Sequence, residues 1–482
     1  IIRDYKEMTK HSFWDTAAIY TVGFLGLRAL SFILLPLYTN LLTTHEAGIL
    51  FIIYTILAFL NTVYNRGMDS ALLKFFNETS ENSIVSTSIL YSFSYGIILS
   101  ILCLTFYYFA YSLQFVVFNP IYVYIGFVLV AILFCDMLSS RCMHIVRLKN
   151  KPWYYLCASL INVILSLALN VYFIVHLKLG LDGAILALLY VSIVQLFILL
   201  PILYNKICFK SFDKILLSKM KRFSLPFLPA AIFFILIELS DRWFIGLLSQ
   251  NSTADVGLYG AGYKIGSIML LMVRGFNLSW QPFYLKENES PDSIRKFSTI
   301  GTDFINIMIC LGALILMLYP ILLQNQIFGI FLIGENFWPG LSIIPIIILS
   351  YICYGIFVLQ MPSIYIKNKH DWAPLLWGIG FAVNCIFNVV LIPNYGFMGA
   401  AISTFIAYFV MMVLIMYKNY TWMKIAYDLK SILIMFVITC FLYLIYSLSV
   451  SNTYAVYFLP ILCILYIIWT VKFMLSKKNA LL

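Results

Sequence analysis

Apolar residues run in long unbroken stretches along this chain, interrupted by short polar segments that recur at spacings of one helix crossing. A helix needs about 20 apolar residues to cross the hydrocarbon of a bilayer. That ruler predicts fourteen spans, at 13–39, 47–66, 84–112, 116–139, 153–176, 181–204, 223–249, 256–280, 299–324, 339–366, 372–393, 396–417, 431–449 and 453–474. Several are too long to stand upright and must tilt or protrude. Prolines in or beside them (Pro36, Pro120, Pro226, Pro229, Pro282, Pro345, Pro362) predict kinks, which membrane helices tolerate where neighbours satisfy the freed carbonyls. The expected class is an all-α polytopic membrane protein.

Composition agrees with the pattern. Of 482 residues, 63% are hydrophobic and 11% charged, and the mean hydropathy is +0.95; a water-soluble domain of that make-up lacks the polar cover its surface needs. The net charge of +11 does not point to nucleic acid, because the basic residues sit between apolar spans. With a cytoplasmic N-terminus, 25 of them fall in inside segments, most densely from Lys206 to Arg222, and outside loops hold only Lys178. A count wrong by one helix would scramble this alternation, so both termini are expected in the cytoplasm of a bacterial inner membrane. Ten scattered cysteines show no CxxC pair and read as small apolar residues, with no metal or cofactor implied. The chain opens at Ile1, so a few residues are expected to precede it, and its first apolar stretch is too long for a cleavable signal peptide.

The two halves share local wording. RLKNKPWYYL, LALNVYF and LGLDGAILA in the first answer to YIKNKHDWAP, IFNVVLI and YGFMGAAIS in the second. This aligns Lys149-Asn150-Lys151 with Lys367-Asn368-Lys369, Asn170 with Asn388, and Gly180/Gly183 with Gly396/Gly399. Glu46-Ala47-Gly48 likewise resembles Asp255-Val256-Gly257, and Gly67 resembles Gly275. An even number of spans per half means both enter from the same side, as in parallel repeats about an axis along the membrane normal. The expected organisation is a six-helix lobe at 1–205, a basic cytoplasmic linker at 206–222, a second six-helix lobe at 223–417 and a two-helix tail at 418–482.

With Arg28, LLPLYTNLLTTHEAGIL and Tyr64-Asn65-Arg66-Gly67-Met68-Asp69 answered by Asp241-Arg242, VGLYGAGYKIG and Arg274-Gly275-Phe276, the chain resembles the multidrug/oligosaccharidyl-lipid/polysaccharide superfamily. The polysaccharide-transporter branch, that of oligosaccharide flippases related to the lipid II flippase, is the better match. The resemblance implies alternating access between two lobes, with the first two helices of each lobe lining a central cleft.

Ionisable residues within spans are functional candidates, since each costs roughly 2.5–3.5 kcal/mol near a helix centre. Arg28, Arg66, Arg242, Lys264 and Arg274 come from spans one, two, seven and eight, and a series of cations there suits an anionic passenger, because guanidinium groups bind phosphate oxygens bidentately. Asp69, Glu238 and Asp241 are the candidate ion-coupling or charge partners. Spacing also allows plain structural pairs, Arg66 with Asp69 and Glu238 with Arg242, and snorkelling of Arg66 and Arg274. Asp136, Arg141 and His144 read as an interfacial cluster at the cytoplasmic end of span four. Tyr20, Tyr38, Tyr54, Tyr64, Tyr259 and Tyr263 offer rings for sugar faces.

No P-loop, HExxH or GxSxG motif is present, and hydrophilic stretches are too short for a catalytic domain, so no enzyme activity is expected. The favoured expectation is a flippase for undecaprenyl-diphosphate-linked oligosaccharide repeat units, serving O-antigen, capsule or other surface polysaccharide. Its partners would be that lipid-linked sugar, membrane lipids, and a polysaccharide polymerase and glycosyltransferases, without nucleic acid. The alternatives are a cation- or proton-coupled multidrug exporter of the same fold and a membrane-embedded polymerase or ligase.

Overall fold

A computed structural model describes residues 32–76, 79–112, 123–149, 151–203, 207–225, 227–287, 292–324, 326–327, 330–367, 369, 372–449, 465–470 and 472. These are almost entirely helical. The helices are α1 (Phe32–Leu41), α2 (Thr44–Asn65), α3 (Met68–Phe75), α4 (Glu81–Ser112), α5 (Val123–Leu148), α6 (Pro152–Asn170), α7 (Gly180–Leu199) and α8 (Lys214–Ser224), followed by α9 (Phe227–Leu248), α10 (Ser252–Gly266), α11 (Ile268–Glu287), α12 (Ser293–Gln324), α13 (Ile344–Leu359), α14 (Pro362–Ile366), α15 (Trp372–Trp422) and α16 (Leu429–Ser449). One antiparallel ladder, pairing Gln326 with Phe331 and Ile327 with Ile330, follows α12.

Eight helical segments among the described residues are long and apolar enough to cross a membrane, or nine if the bent pair Ser252–Gly266 and Ile268–Asn277 (46°) counts as one span. Most of the first and last expected spans lies outside the described residues. A continuous helix of 51 residues such as α15 would be about 75 Å long, far more than a bilayer. Gly396 breaks it, with φ of 54° and ψ of −136°, three residues after Pro393, so the two arms match the separate spans expected at 372–393 and 396–417. Pro345 and Pro362 stand in the first turns of α13 and α14, where a missing N–H costs nothing; Pro120 and Pro226 lie outside the described residues.

The chain divides into two compact units, residues 1–42 with 52–235 and residues 43–51 with 236–482. In the first, a core of Met68, Leu72, Ile84, Val85, Ile145 and Val146 is closed by Leu216 and Met220 of α8. Asp213 caps α8 by accepting from the N–H groups of Ile215 and Leu216, and the N–H groups of Cys208 and Asp213 donate to Ser86 and Thr87 of α4. The basic connection is therefore pinned down at both ends of its visible course. A π-helical stretch, Val171–His176, ends α6, and the chain turns through Lys178 and Gly180, both with positive φ.

That turn has its counterpart in the second unit. Gly180 has φ of 53° and Gly396 of 54°, a left-handed geometry that glycine adopts without steric cost. The next aligned pair acts alike too: a Cβ on Gly183 would meet Phe173, and one on Gly399 would meet Leu391. Within the second unit, the segment 43–51 packs against α10 in a reciprocal contact. A Cβ on Gly48 would run into the carbonyl oxygen of Thr253, and one on Gly257 into that of Thr44. Each such Cβ would also come within 3.2 Å of the other glycine's nitrogen. Residue i meets j and j meets i, as about a twofold axis.

Candidate functional site

α9 carries three ionisable residues, Glu238, Asp241 and Arg242, at a spacing that puts them on one helix face. All three are buried, and the second unit is arranged around them. Asp241 is fully buried and accepts four hydrogen bonds from neutral groups. Asn384 and Asn388 donate to Oδ1 at 3.1 and 2.9 Å, and Tyr259 and Thr404 donate to Oδ2 at 2.6 and 2.5 Å. The donors come from α10 and from both arms of α15. Asn388 also donates to Asn384 Oδ1 at 3.0 Å, which accepts from Ser240 at 3.3 Å. The buried Oδ1 of Asn388 has no hydrogen-bond partner.

Glu238, one turn earlier, sits in a cage of tyrosines. Tyr408 donates to Oε1, while Tyr351 and Tyr263 reach Oε2 at 3.1 and 3.3 Å. The hydroxyls of Tyr263 and Tyr351 are 2.5 Å apart. Tyr354 packs on Tyr408 with ring centroids 5.1 Å apart. Arg242 does not pair with the Glu238 carboxylate. Its guanidinium lies 4.7 Å from the Tyr263 ring centroid and 5.6 Å from that of Tyr259, and it donates to the Glu238 carbonyl at 3.2 Å.

Burying an ionised carboxylate is costly unless it is paired or fully hydrogen-bonded. Among the described residues, neither Glu238 nor Asp241 has a basic group within ion-pair distance, unlike Asp69, which takes Arg141 and His144, and Glu81, which takes Lys149. Neutral donors hold both carboxylates instead. Such a site gathers carboxylate, hydroxyl and amide oxygens in one buried place. Hydroxyl oxygens can turn from donating to coordinating, and the idle Asn388 oxygen adds one more acceptor.

The remaining predicted residues are distributed as follows. Arg28 lies outside the described residues. Arg66 is half-buried, donates to the Tyr91 hydroxyl at 3.0 Å and rests 4.7 Å from the Tyr95 ring centroid. Arg66 and Gly67 both have positive φ, so the chain turns sharply between α2 and α3. That turn carries Asp69 away from Arg66, and the pair that helical spacing allowed does not form. Asp69 instead takes Arg141, with His144 Nε2 at 3.5 Å. Lys264, half-buried near the end of α10, lies 5.9 Å from the Phe51 ring centroid. Arg274 is half-buried on α11.

Arg141 corrects the sequence reading most. Placed there in an interfacial cluster with Asp136 and His144, it is among the largest fully buried side chains. It donates to the Asn65 carbonyl at 2.7 Å and to Ser92 at 3.1 Å besides holding Asp69. Asp136 is not part of that cluster and faces Asn61 and Ser192. Asn384, Thr404, Tyr351 and Tyr408 escaped the sequence reading, although an Asn or Thr inside an apolar span is itself a signal, because hydrocarbon offers it no partner.

Comparison with known proteins follows this geometry. Residues 13–285, more than half of the chain, match the family described as "Polysaccharide biosynthesis protein". No curated protein matches by sequence. The fold is similar to that of the lipid II flippase MurJ in an inward closed conformation, with a TM-score of 0.73 at 16% identity, covering 96% of this chain and 99% of that one. It is also similar to an inward-facing multidrug resistance MATE transporter of the MOP superfamily (TM-score 0.60, 14% identity, 82% and 92% covered). A Vibrio cholerae MATE transporter gives 0.57 at 14% identity, with 83% and 96% covered. The chain belongs to the polysaccharide biosynthesis protein family, and its nearly all-helical fold, with several helices long and apolar enough to cross a membrane, is similar to those of the lipid II flippase and the MATE transporters.

Proposed function

We propose that this transporter is a cation-coupled flippase for a polyprenyl-diphosphate-linked oligosaccharide, working by alternating access in a bacterial cytoplasmic membrane with both termini inside. The O-antigen, capsule or another surface polysaccharide would be the end product, with a polymerase and glycosyltransferases acting before and after it. The observation carrying the coupling is Asp241, a buried carboxylate held only by neutral donors beside the unpartnered Asn388 oxygen. Family membership and the fold shared with a lipid II flippase over nearly the whole chain support the passenger class. Arg28, Arg66, Lys264 and Arg274 are the cations assigned to the diphosphate, since side chains of this kind bind phosphate oxygens. Arg242 acts differently. Packed on two tyrosine rings and bonded to the α9 backbone, it offsets part of the charge of its two carboxylate neighbours.

A neutral-donor carboxylate site suits coupling because cation entry discharges it without breaking an ion pair. The donors around Asp241 come from α10 and from both arms of α15 that meet at Gly396, so filling the site tightens helices that an empty site leaves under less restraint. A cation- or proton-coupled multidrug exporter is the second reading, favoured by these same carboxylates and by the likeness to MATE transporters. Purified protein in liposomes, offered a fluorescent lipid-linked oligosaccharide and, separately, a panel of cationic dyes, separates the two. Movement of the lipid-linked sugar, stimulated by a cation gradient, supports the flippase; movement of dyes alone supports the exporter.

A further inference from the structure

The first unit contains a cavity of about 440 Å³ that the transport reading leaves unused. Small-ligand pockets are roughly 300–1,000 Å³, so it is of binding-site size. Its almost wholly apolar wall includes Ile53, Ile56 and Leu60 of α2, Leu102 and Phe106 of α4 and Leu129 of α5. Leu102 is 57% exposed and Phe106 73%, although both line the cavity. Its mouth therefore opens on the outer surface of α4. Of the eight candidate spans among the described residues that helix is the least enclosed, with only 17% of its most apolar stretch buried.

The cavity has defined ends. On α5, a Cβ on Gly126 would come 2.7 Å from the Tyr107 ring, so the glycine lets that ring lie flat against the helix as a wall. Towards the other end, Tyr64 and Ser100 hydroxyls are 3.1 Å apart, and Tyr95 donates to the Val63 carbonyl at 3.4 Å. These bonds tie α2 to α4 and close the space. Apolar cavities do not hold water, and an empty one forfeits the dispersion contacts of its lining. At this mouth, the surrounding medium of a spanning helix is hydrocarbon.

We propose that the cavity between α2, α4 and α5 is a binding site for a single hydrocarbon chain of a bilayer lipid, which enters sideways past Leu102 and Phe106. Occupancy is independent of what the transporter carries and stands even if the flippase reading fails. The test uses the full chain in nanodiscs made of phosphatidylcholine bearing a diazirine midway along one acyl chain. After irradiation, adducts are mapped by mass spectrometry. Labelling should be several-fold stronger at Leu102, Phe106 and Leu129 than at Ile161 and Ile164, exposed residues of α6 outside the cavity. Leu129→Trp and, from a different helix, Ile56→Trp should fill the space and cut the labelling of Leu102 and Phe106 to the level of α6, while Ile164→Trp leaves it unchanged. Thermal unfolding verifies that each variant is folded. Equal labelling of cavity and α6 residues, or unchanged labelling in a folded cavity-filled variant, overturns the proposal.

Discussion

Asn170 in the first unit and Asn388 in the second occupy the same place in the internal repeat, yet they serve opposite partners. Asn170 accepts from the Tyr38 hydroxyl at 2.9 Å, and Tyr38 in turn meets Tyr54 at 3.0 Å; all of this is neutral. Asn388 donates to a carboxylate, Asp241. The first unit holds the partly exposed Asp69 in an ion pair with Arg141 and sets Asp136 against Asn61 and Ser192, whereas the second places two buried acids one turn apart on a single helix, both held by neutral donors. The aligned asparagines keep the same amide, and the electrostatics around them differ. The proposed cation coupling uses the paired carboxylates that only the second of these two arrangements provides.

The largest expected effect comes from making the second unit neutral like the first. Asp241→Asn keeps the shape of the side chain and should abolish cation-stimulated transport. Wild-type protein should be stabilised by the coupling cation, by about 2.7 kcal/mol at 100 times its Kd, and the variant by nothing, as read from unfolding with and without the cation. Undiminished cation stabilisation in the variant would erase the contrast between the units. Next, Arg141→Met leaves Asp69 with His144 beside it and should cost about 1.5–3 kcal/mol in chemical unfolding, with part recovered by adding Asp69→Leu. Gly48→Ala and Gly257→Ala should each cost about 1–3 kcal/mol through backbone displacement, and their equality in thermal scans tests the reciprocity of that contact. Replacing the two repeat asparagines sharpens the comparison further: Asn388→Ala removes a donor to a charged group and should cost about 1.5–3 kcal/mol, against about 0.5–1.5 for Asn170→Ala. Smallest is Tyr38→Phe, which should lose about 1 kcal/mol with transport intact.

Much of this architecture was readable from the chain itself. Hydropathy and loop charge predict a polytopic helical protein, and of the glycines the sequence aligns, Gly180 and Gly396 share a left-handed φ. Glu238 and Asp241 stand out because a charge inside an apolar run has no other excuse. Their partners do not stand out. Tyr351, Tyr408 and Thr404 lie 113, 170 and 163 positions away from the carboxylates they serve, and no helical periodicity links positions that distant. Arg141 was hidden for a different reason. It looks like one more basic residue at a membrane boundary, and only the sharp turn at Arg66 and Gly67 brings Asp69 to it. Local spacing offered the wrong pairs, Arg66 with Asp69 and Glu238 with Arg242, because it ignores what the neighbouring helices provide.

The mutual fit of Gly48 and Gly257 has an evolutionary consequence. Elsewhere in the repeat, Asn170 and Asn388 keep the amide and change its company. Here each copy is the other's mould: any side chain gained by one must find room against the backbone of the other. Divergence at this point is therefore frozen on both sides at once, and a lineage that loses one of these glycines should carry a compensating change near its twin.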